Sequence, residues 1–439
     1  MKTNLEDISS VRKKISVEID SHEVDSKLDE TYRKLGKKFK IPGFRPGKVP
    51  SQILERYIGN QVAEDVARDL IDETLPKALE SIETSPIGAP FLEKEILRRG
   101  QSFKYSAVME VRPQFELKDY LGLEVEKEEL SVAEDDIQNQ LEQIRRAHGT
   151  LTSLEGDRPI QQNDHVLLDY EGFEEGHPLE GIKASNFLLH VGSNSFHPAF
   201  EESLVGLKKD EEAEIRVEFE DSYHHERLAG KRVDFKVKIL DIKQMILPEL
   251  NDDFAQSLDA EFKTLEELRI KVKETLISQE EKRIDRELKQ KLLKKISDAV
   301  EFEIPQTLVE SEINYAVETV KQNLIRRGSN LVKAGLSEDK LRERFRLPSE
   351  KRVKDLLILG EIAEQNAITV DEEDLAEEFK AMAASTGQDV ETLRQYYHAR
   401  DIIGPLKEKL LEEKTLNYLA ENAKILSIDK DQQTVMTSK

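Results

Sequence analysis

Residues 31–54 read TYRKLGKKFKIPGFRPGKVPSQIL. The stretch carries seven basic residues (Arg33, Lys34, Lys37, Lys38, Lys40, Arg45, Lys48) and no acid, in a chain whose formal charge is -23. At its centre, Gly43-Phe44-Arg45-Pro46-Gly47 forms a Gly/Pro loop that lifts an aromatic and an arginine into solvent. A patch of sign opposite to the rest of the chain docks on something polyanionic, while the acidic remainder opposes nucleic-acid coating elsewhere. A phosphate-binding P-loop is a competing reading, and it fails. Gly43-x-x-x-Gly47-Lys48 is one residue short, and Val49 stands where a hydroxyl would hold magnesium.

Working outward, the loop joins two helices. Upstream, Val11, Ile15, Val17 and Ile19 share one parity over 11–19, which predicts a strand. Asp20 or Ser21 then caps a helix with apolar positions Val24, Leu28, Tyr32, Leu35 and Phe39. Gly36 weakens its last turn, and Pro42 with Gly43 ends it. Downstream, Pro50 suits the first position of a second helix, whose stripe is Ile53, Leu54, Tyr57, Ile58, Val62, Val66, Leu70 and Ile71. Strands are predicted near 91–98 and 102–112. Residues 1–112 thus read as a small α+β domain with a basic helix–loop–helix tip.

Residues 113–150 read as a connector, with a short strand at Leu121, Leu123 and Val125 and a capping box at Ser131-Val-Ala-Glu134. Residues 151–245 turn strand-rich: Val166, Leu168 and Tyr170 alternate, as do Ile215, Val217 and Phe219, and Val233, Phe235, Val237 and Ile239. Gly172, Gly176, Gly181, Gly192 and Gly206 are read as turns between them. Residues 246–428 are helical nearly throughout. Thr264-Leu-Glu-Glu267 is a second capping box, Ile284, Leu288, Leu292 and Ile296 recur every four residues, and Pro305 opens a helix that Gly328 stops. The polar tail 429–439 is expected to be disordered.

The bulk numbers agree with several domains. A chain of 439 residues exceeds one ordinary core, and 35% charged with only 6% aromatic residues favours solvated helices over a dense aromatic interior. With no cysteine there is no disulfide framework, thiolate chemistry or Cys-type zinc site. His224-His225-Glu226 is a poor metal cluster, because adjacent side chains seldom converge. The opening residues lack an apolar signal region, and no apolar run approaches the roughly 18 residues a membrane span needs. The expectation is a soluble cytoplasmic protein with no membrane partner.

The run Gly43-Phe44-Arg45-Pro46-Gly47-Lys48-Val49-Pro50 resembles the G-F-R-x-G-K-x-P signature of the trigger factor family, ribosome-associated bacterial chaperones. Residues 151–245 resemble the FKBP-type peptidyl-prolyl isomerase module of that family, and the segment opening Phe302-Glu-Ile-Pro305-Gln resembles the start of its helical arm. The resemblance covers essentially the whole chain. It implies a multidomain α+β fold: an N-terminal α+β ribosome-binding domain (1–112), a connector (113–150) packing with the C-terminal domain, an FKBP-like antiparallel β domain with a short helix (151–245), and an elongated all-α domain with arms (246–428). It further implies docking on the large ribosomal subunit beside the exit tunnel through Gly43, Phe44, Arg45, Gly47 and Lys48. Arg45 and Lys48 would face rRNA phosphates or acidic side chains of a ribosomal protein. The implied clients are nascent or unfolded polypeptides, held without ATP or any other cofactor. The free protein is expected to be a homodimer, with no DNA partner.

Isomerising an X-Pro bond needs no nucleophile or acid–base pair. The planar amide must twist across a barrier of roughly 18–20 kcal/mol, and a water-poor aromatic pocket favours the less polar twisted state. By the FKBP pattern the pocket residues are Tyr170, Phe187, Phe200, Tyr223, His224 and Phe235. Phe187, Phe200 and Phe235 are read equally well as ordinary core, whereas Tyr170, Tyr223 and His224 have the polar tips of a rim. Three positions depart from the pattern: Leu179 where an aromatic is usual, His197 where an aliphatic whose backbone donates is usual, and Ala199 for a turn glycine. The activity expected is present but weakened. A stand-alone proline isomerase and a ribosome-independent holdase are the rival readings.

Overall fold

The computed structural model describes residues 1–38, 51–82, 84–154, 156–221, 223, 227–259 and 262–428. It divides into two compact units, Met1–Glu128 with Asp285–Asp429, and Glu129–Ile284.

The first unit opens with strands β1 (Lys2–Asp7) and β2 (Arg12–Ile19), helices α1 (Ser21–Lys38) and α2 (Ser51–Ser81), and strands β3 (Ile87–Lys94) and β4 (Phe103–Glu110). The antiparallel sheet runs β1-β2-β4-β3. Its buried face follows period 2: Ile15, Val17 and Ile19 on β2 and Phe103, Tyr105, Ala107 and Met109 on β4. Val24, Leu28 and Tyr32 of α1 and Leu54, Val62, Val66 and Leu70 of α2 complete that core. Asp20 is the cap, its Oδ1 accepting the His22 N–H at 2.9 Å. β1 escapes the sequence patterning because all six of its residues are exposed. β3 starts four residues before the expected 91.

Strand β5 (Glu124–Glu128) belongs to this unit as well. The second unit continues with α3 (Glu134–Ala147), β6 (Thr150–Ser153), β7 (His165–Glu174), β8 (His177–His190), α4 (Pro198–Leu204), β9 (Glu212–Glu218), β10 (Arg232–Ile246) and α5 (Asp252–Leu258). Its antiparallel sheet runs β6-β10-β7-β8, with β9 also on β10. Ile137 and Leu141 of α3 pack with Phe254 and Ala255 of α5. α6 (Leu265–Ala299) starts in the second unit and ends in the first.

The first unit then closes with α7 (Gln306–Arg326), α8 (Glu338–Gln365), α9 (Glu372–Thr386), α10 (Val390–Ala399), α11 (Ile403–Glu421) and β11 (Lys424–Ile428). β11 pairs in parallel with β5, from Lys424 against Glu124 to Ile428 against Glu128. Phe115 stacks on Phe302 at 4.1 Å between ring centres, against a core that includes Ile296, Ile358, Ile362 and Leu419.

Two local expectations need correcting. The first capping box does not form at Ser131: α3 starts at Glu134, and the Asp136 carboxylate accepts the Ala133 N–H at 3.1 Å. Asp136 can take that N–H from the third helical position, so the helix starts two residues later than the Ser-x-x-Glu pattern predicts. The second box does form, Thr264 and Glu267 each accepting the other's N–H at 3.3 Å. Among the glycines, Gly172 and Gly181 lie inside β7 and β8 and are not turns. Gly172 is glycine because a Cβ there would stand 2.7 Å from Ile182 and 3.2 Å from Val233.

Candidate active site

The β-rich unit concentrates aromatic rings on the inner face of its sheet. Tyr170 leaves β7 with its ring centre 5.5 Å from Phe187 on β8, 6.4 Å from Phe200 on α4 and 6.1 Å from Phe235 on β10. Period 2 explains three of these, since Tyr170, Phe187 and Phe235 occupy alternate positions on neighbouring strands. Phe200 and Phe235 are fully buried and form the floor, while Tyr170, Phe187 and Tyr223 are half-buried and form the wall. The two readings of the phenylalanines therefore split: Phe200 and Phe235 are both core and floor, and Phe187 is wall. Most of these pairs are edge-to-face, the arrangement aromatic quadrupoles prefer.

Four further residues make the site, and the sequence reading passed over three of them. Phe196 contacts four rings: Tyr170 at 5.4 Å, Phe187 at 6.3 Å, Phe200 at 4.6 Å and Phe235 at 5.6 Å. Phe219, directly after β9, lies 4.7 Å from Tyr223. Glu201 is buried on α4, where its carboxylate accepts the backbone N–H groups of Gly192 (2.8 Å), Asn194 (3.0 Å) and Phe196 (3.0 Å). No pattern marks one glutamate among 89 acidic residues, although its place directly after Phe200 was a usable signal.

The fourth, His197, departs from the FKBP pattern and has a structural use. It caps α4, its Nδ1 accepting the Ala199 N–H at 3.3 Å, and its ring packs on Phe219 at 4.9 Å and near Tyr223 at 5.9 Å. Its backbone N–H has no partner among the described residues, so it remains a donor that a bound peptide can use. Leu179 packs at the edge of the same core.

The polar tips are few. Tyr223 donates its hydroxyl to the Phe196 carbonyl at 2.8 Å. Tyr170 has no hydrogen-bond partner for its hydroxyl among the described residues, and burial pushes this phenol's pKa up, as it does for Tyr223. Both hydroxyls therefore keep their protons and act as donors. An apolar bowl with a spare phenol and a spare backbone N–H can hold a proline ring and its amide carbonyl, and it offers no nucleophile. Residues that could hold a metal do not cluster here or elsewhere among the described residues. His224, and the basic-loop residues Gly43, Phe44, Arg45, Gly47 and Lys48, lie outside the described residues.

The chain matches three sequence families in succession: the bacterial trigger factor protein over residues 1–144, the FKBP-type peptidyl-prolyl cis-trans isomerase over 156–240, and the bacterial trigger factor C-terminus over 264–421. It is 36% identical to the trigger factor of Geotalea uraniireducens, over 98% of this chain and 100% of that one. It is 38% identical to the trigger factor of Caldicellulosiruptor bescii, over 94% of this chain and 95% of that one. A solved structure of the trigger factor chaperone shares the fold, covering 96% of this chain and 99% of its own at a TM-score of 0.52 and 24% identity.

Proposed function

The chain belongs to the bacterial trigger factor family, and on that premise we propose a division of labour along it. It is a chaperone that docks at the ribosomal exit tunnel, binds nascent unfolded chains without ATP and isomerises X-Pro bonds. Docking falls to Gly43, Phe44, Arg45, Gly47 and Lys48, where the basic run of the sequence is concentrated. Isomerisation falls to Tyr170, Phe187, Phe200, Tyr223, His224 and Phe235. Holding falls to the helical domain, residues 246–428, together with the connector 113–150; within the helical domain Tyr315, Ile325, Val332 and Leu347 stand exposed among charged neighbours. The protein works in the cytoplasm, and away from the ribosome it forms a homodimer.

The ring cluster around Tyr170 is the observation that carries the isomerase part. It excludes water from one side of a bound proline while leaving donors at the rim, which lowers the cost of the twisted amide. Phe196 supplies an additional ring where Leu179 supplies none, and the His197 side chain makes the rim more polar.

Ribosome docking is tested by co-sedimentation with bacterial ribosomes at low and moderate salt. Wild type is expected in the pellet in a salt-sensitive manner, and Phe44→Ala/Arg45→Ala/Lys48→Ala in the supernatant. Wild type remaining in the supernatant would favour the free holdase or the stand-alone isomerase, and equal pelleting would move the docking site off this loop. Sedimentation velocity of the ribosome-free protein at micromolar concentration checks the dimer.

A further inference from the structure

We propose that Glu201 is a positioning residue of the isomerase site, holding the loop that carries the Phe196 ring against the pocket. This rests on the proline-isomerase reading of the same site.

The loop between β8 and α4 carries Phe196 to the centre of the ring cluster, yet it has little regular structure to fix it. Its backbone N–H groups at 192, 194 and 196 all point to one acceptor, Glu201, whose residue is 2% exposed. Three N–H bonds to one carboxylate are charge-assisted, and this is the usual way a buried carboxylate is compensated. Ordinary helix packing does not require a carboxylate at this buried position, because Phe200 and Leu204 already fill the apolar face of α4. The acid is therefore placed for the loop.

The loop in turn serves the pocket at two points. The Phe196 ring touches floor and wall, 4.6 Å from Phe200 and 5.4 Å from Tyr170. The Phe196 carbonyl takes the Tyr223 hydroxyl at 2.8 Å. One residue thus ties the floor to the rim tyrosine, and one buried carboxylate fixes that residue's backbone. Releasing the loop lets the ring leave a bound proline without touching the sheet, so the loss falls on substrate binding more than on the twisting step.

The test uses the full-length chain with a prolyl tetrapeptide, kcat and KM measured separately, and hydrogen–deuterium exchange of the 190–198 segment. Glu201→Gln keeps shape but sets an amide donor among N–H donors. Exchange at 192–196 should rise, and kcat/KM should fall about tenfold, mainly through KM. Phe196→Leu leaves Glu201 and its three bonds in place, and it should raise KM comparably with exchange unchanged. Should Glu201→Gln fail to fold, Glu201→Asp, one methylene short, decides the positioning role by the same two readouts. Increased exchange with kcat/KM within twofold of wild type overturns the positioning role, as do unchanged amides. Phe196→Leu at wild-type KM overturns it too, since the held ring would then not matter to binding. A wild type that does not accelerate isomerisation would instead remove the isomerase reading itself, and the proposal with it.

Discussion

At the scale of single residues, the site depends on where a few polar atoms end up. Tyr223→Phe removes the hydroxyl that the Phe196 carbonyl accepts, at a net cost of about 0.5–1.5 kcal/mol. The expected outcome is a lower unfolding temperature and a kcat/KM reduced several-fold, read by calorimetry and by the tetrapeptide assay. His165 and His190 face each other across β7 and β8, their rings stacked 4.4 Å apart, and the His165 Nδ1 is buried without a hydrogen-bond partner among the described residues. Burial, then the neighbouring His190, lower the His165 pKa against an opposing pull from Asp164. An unfolded chain therefore takes up this proton near the ordinary value of about 6.5 while the folded one does not. Stability from this group is complete above that pH and falls as the solution is acidified toward the lowered folded value. Calorimetry of the chain from pH 8 to pH 5 should show the decline, and His165→Phe should flatten it; an equal slope in both proteins would remove His165 as the cause. The pocket tyrosines and phenylalanines were legible through the resemblance to the FKBP module, and strand alternation supports it at Tyr170 and Phe235. Phe196 and Glu201 were not, because they act from a loop and a one-turn neighbour where no period exists to flag them.

At the scale of elements, the sequence is legible where a repeat meets a buried face. The stripes of α1, α2 and α7 and the alternation of β2, β7 and β10 all face cores. It is silent where a strand is exposed on both sides, as β1 is, and where a strand pairs at long range, as β11 does. Glycine was the other source of error, since a close approach of neighbours demands it as strongly as a turn does. Gly172→Ala would press a methyl against Ile182, Val233 and the Phe235 ring, at 2.7, 3.2 and 3.3 Å. Overpacking of this kind costs about 1–3 kcal/mol, and because Phe235 is part of the pocket floor, isomerase activity should fall with the unfolding temperature. Activity lost at an unchanged unfolding temperature would contradict that linkage. Thr264→Ala, which removes one half of the cap that does form, should cost about 1 kcal/mol in urea denaturation.

At the scale of the molecule, the order of three matched segments made the family legible, and composition alone could not have done so. The first unit is assembled from both ends of the chain. Ser10 donates to Glu303 at 2.8 Å, the Thr307 N–H donates to Glu110 at 2.7 Å, and β5 has β11 as its strand partner. Ending the chain after Asn422 deletes β11 and should shift the urea midpoint of this unit downward by about 1–3 kcal/mol in stability, with the pocket's kcat/KM unchanged. The same pairing also has a meaning in time. Glu124 leaves the translating ribosome three hundred positions before Lys424, roughly 15–60 s earlier at bacterial elongation speeds of about 5–20 residues per second. The four-stranded sheet needs nothing beyond residue 110 and can close early. Each newly made copy can therefore close its N-terminal sheet during its own translation, while the β5–β11 pair of the same unit joins only after the final strand is made.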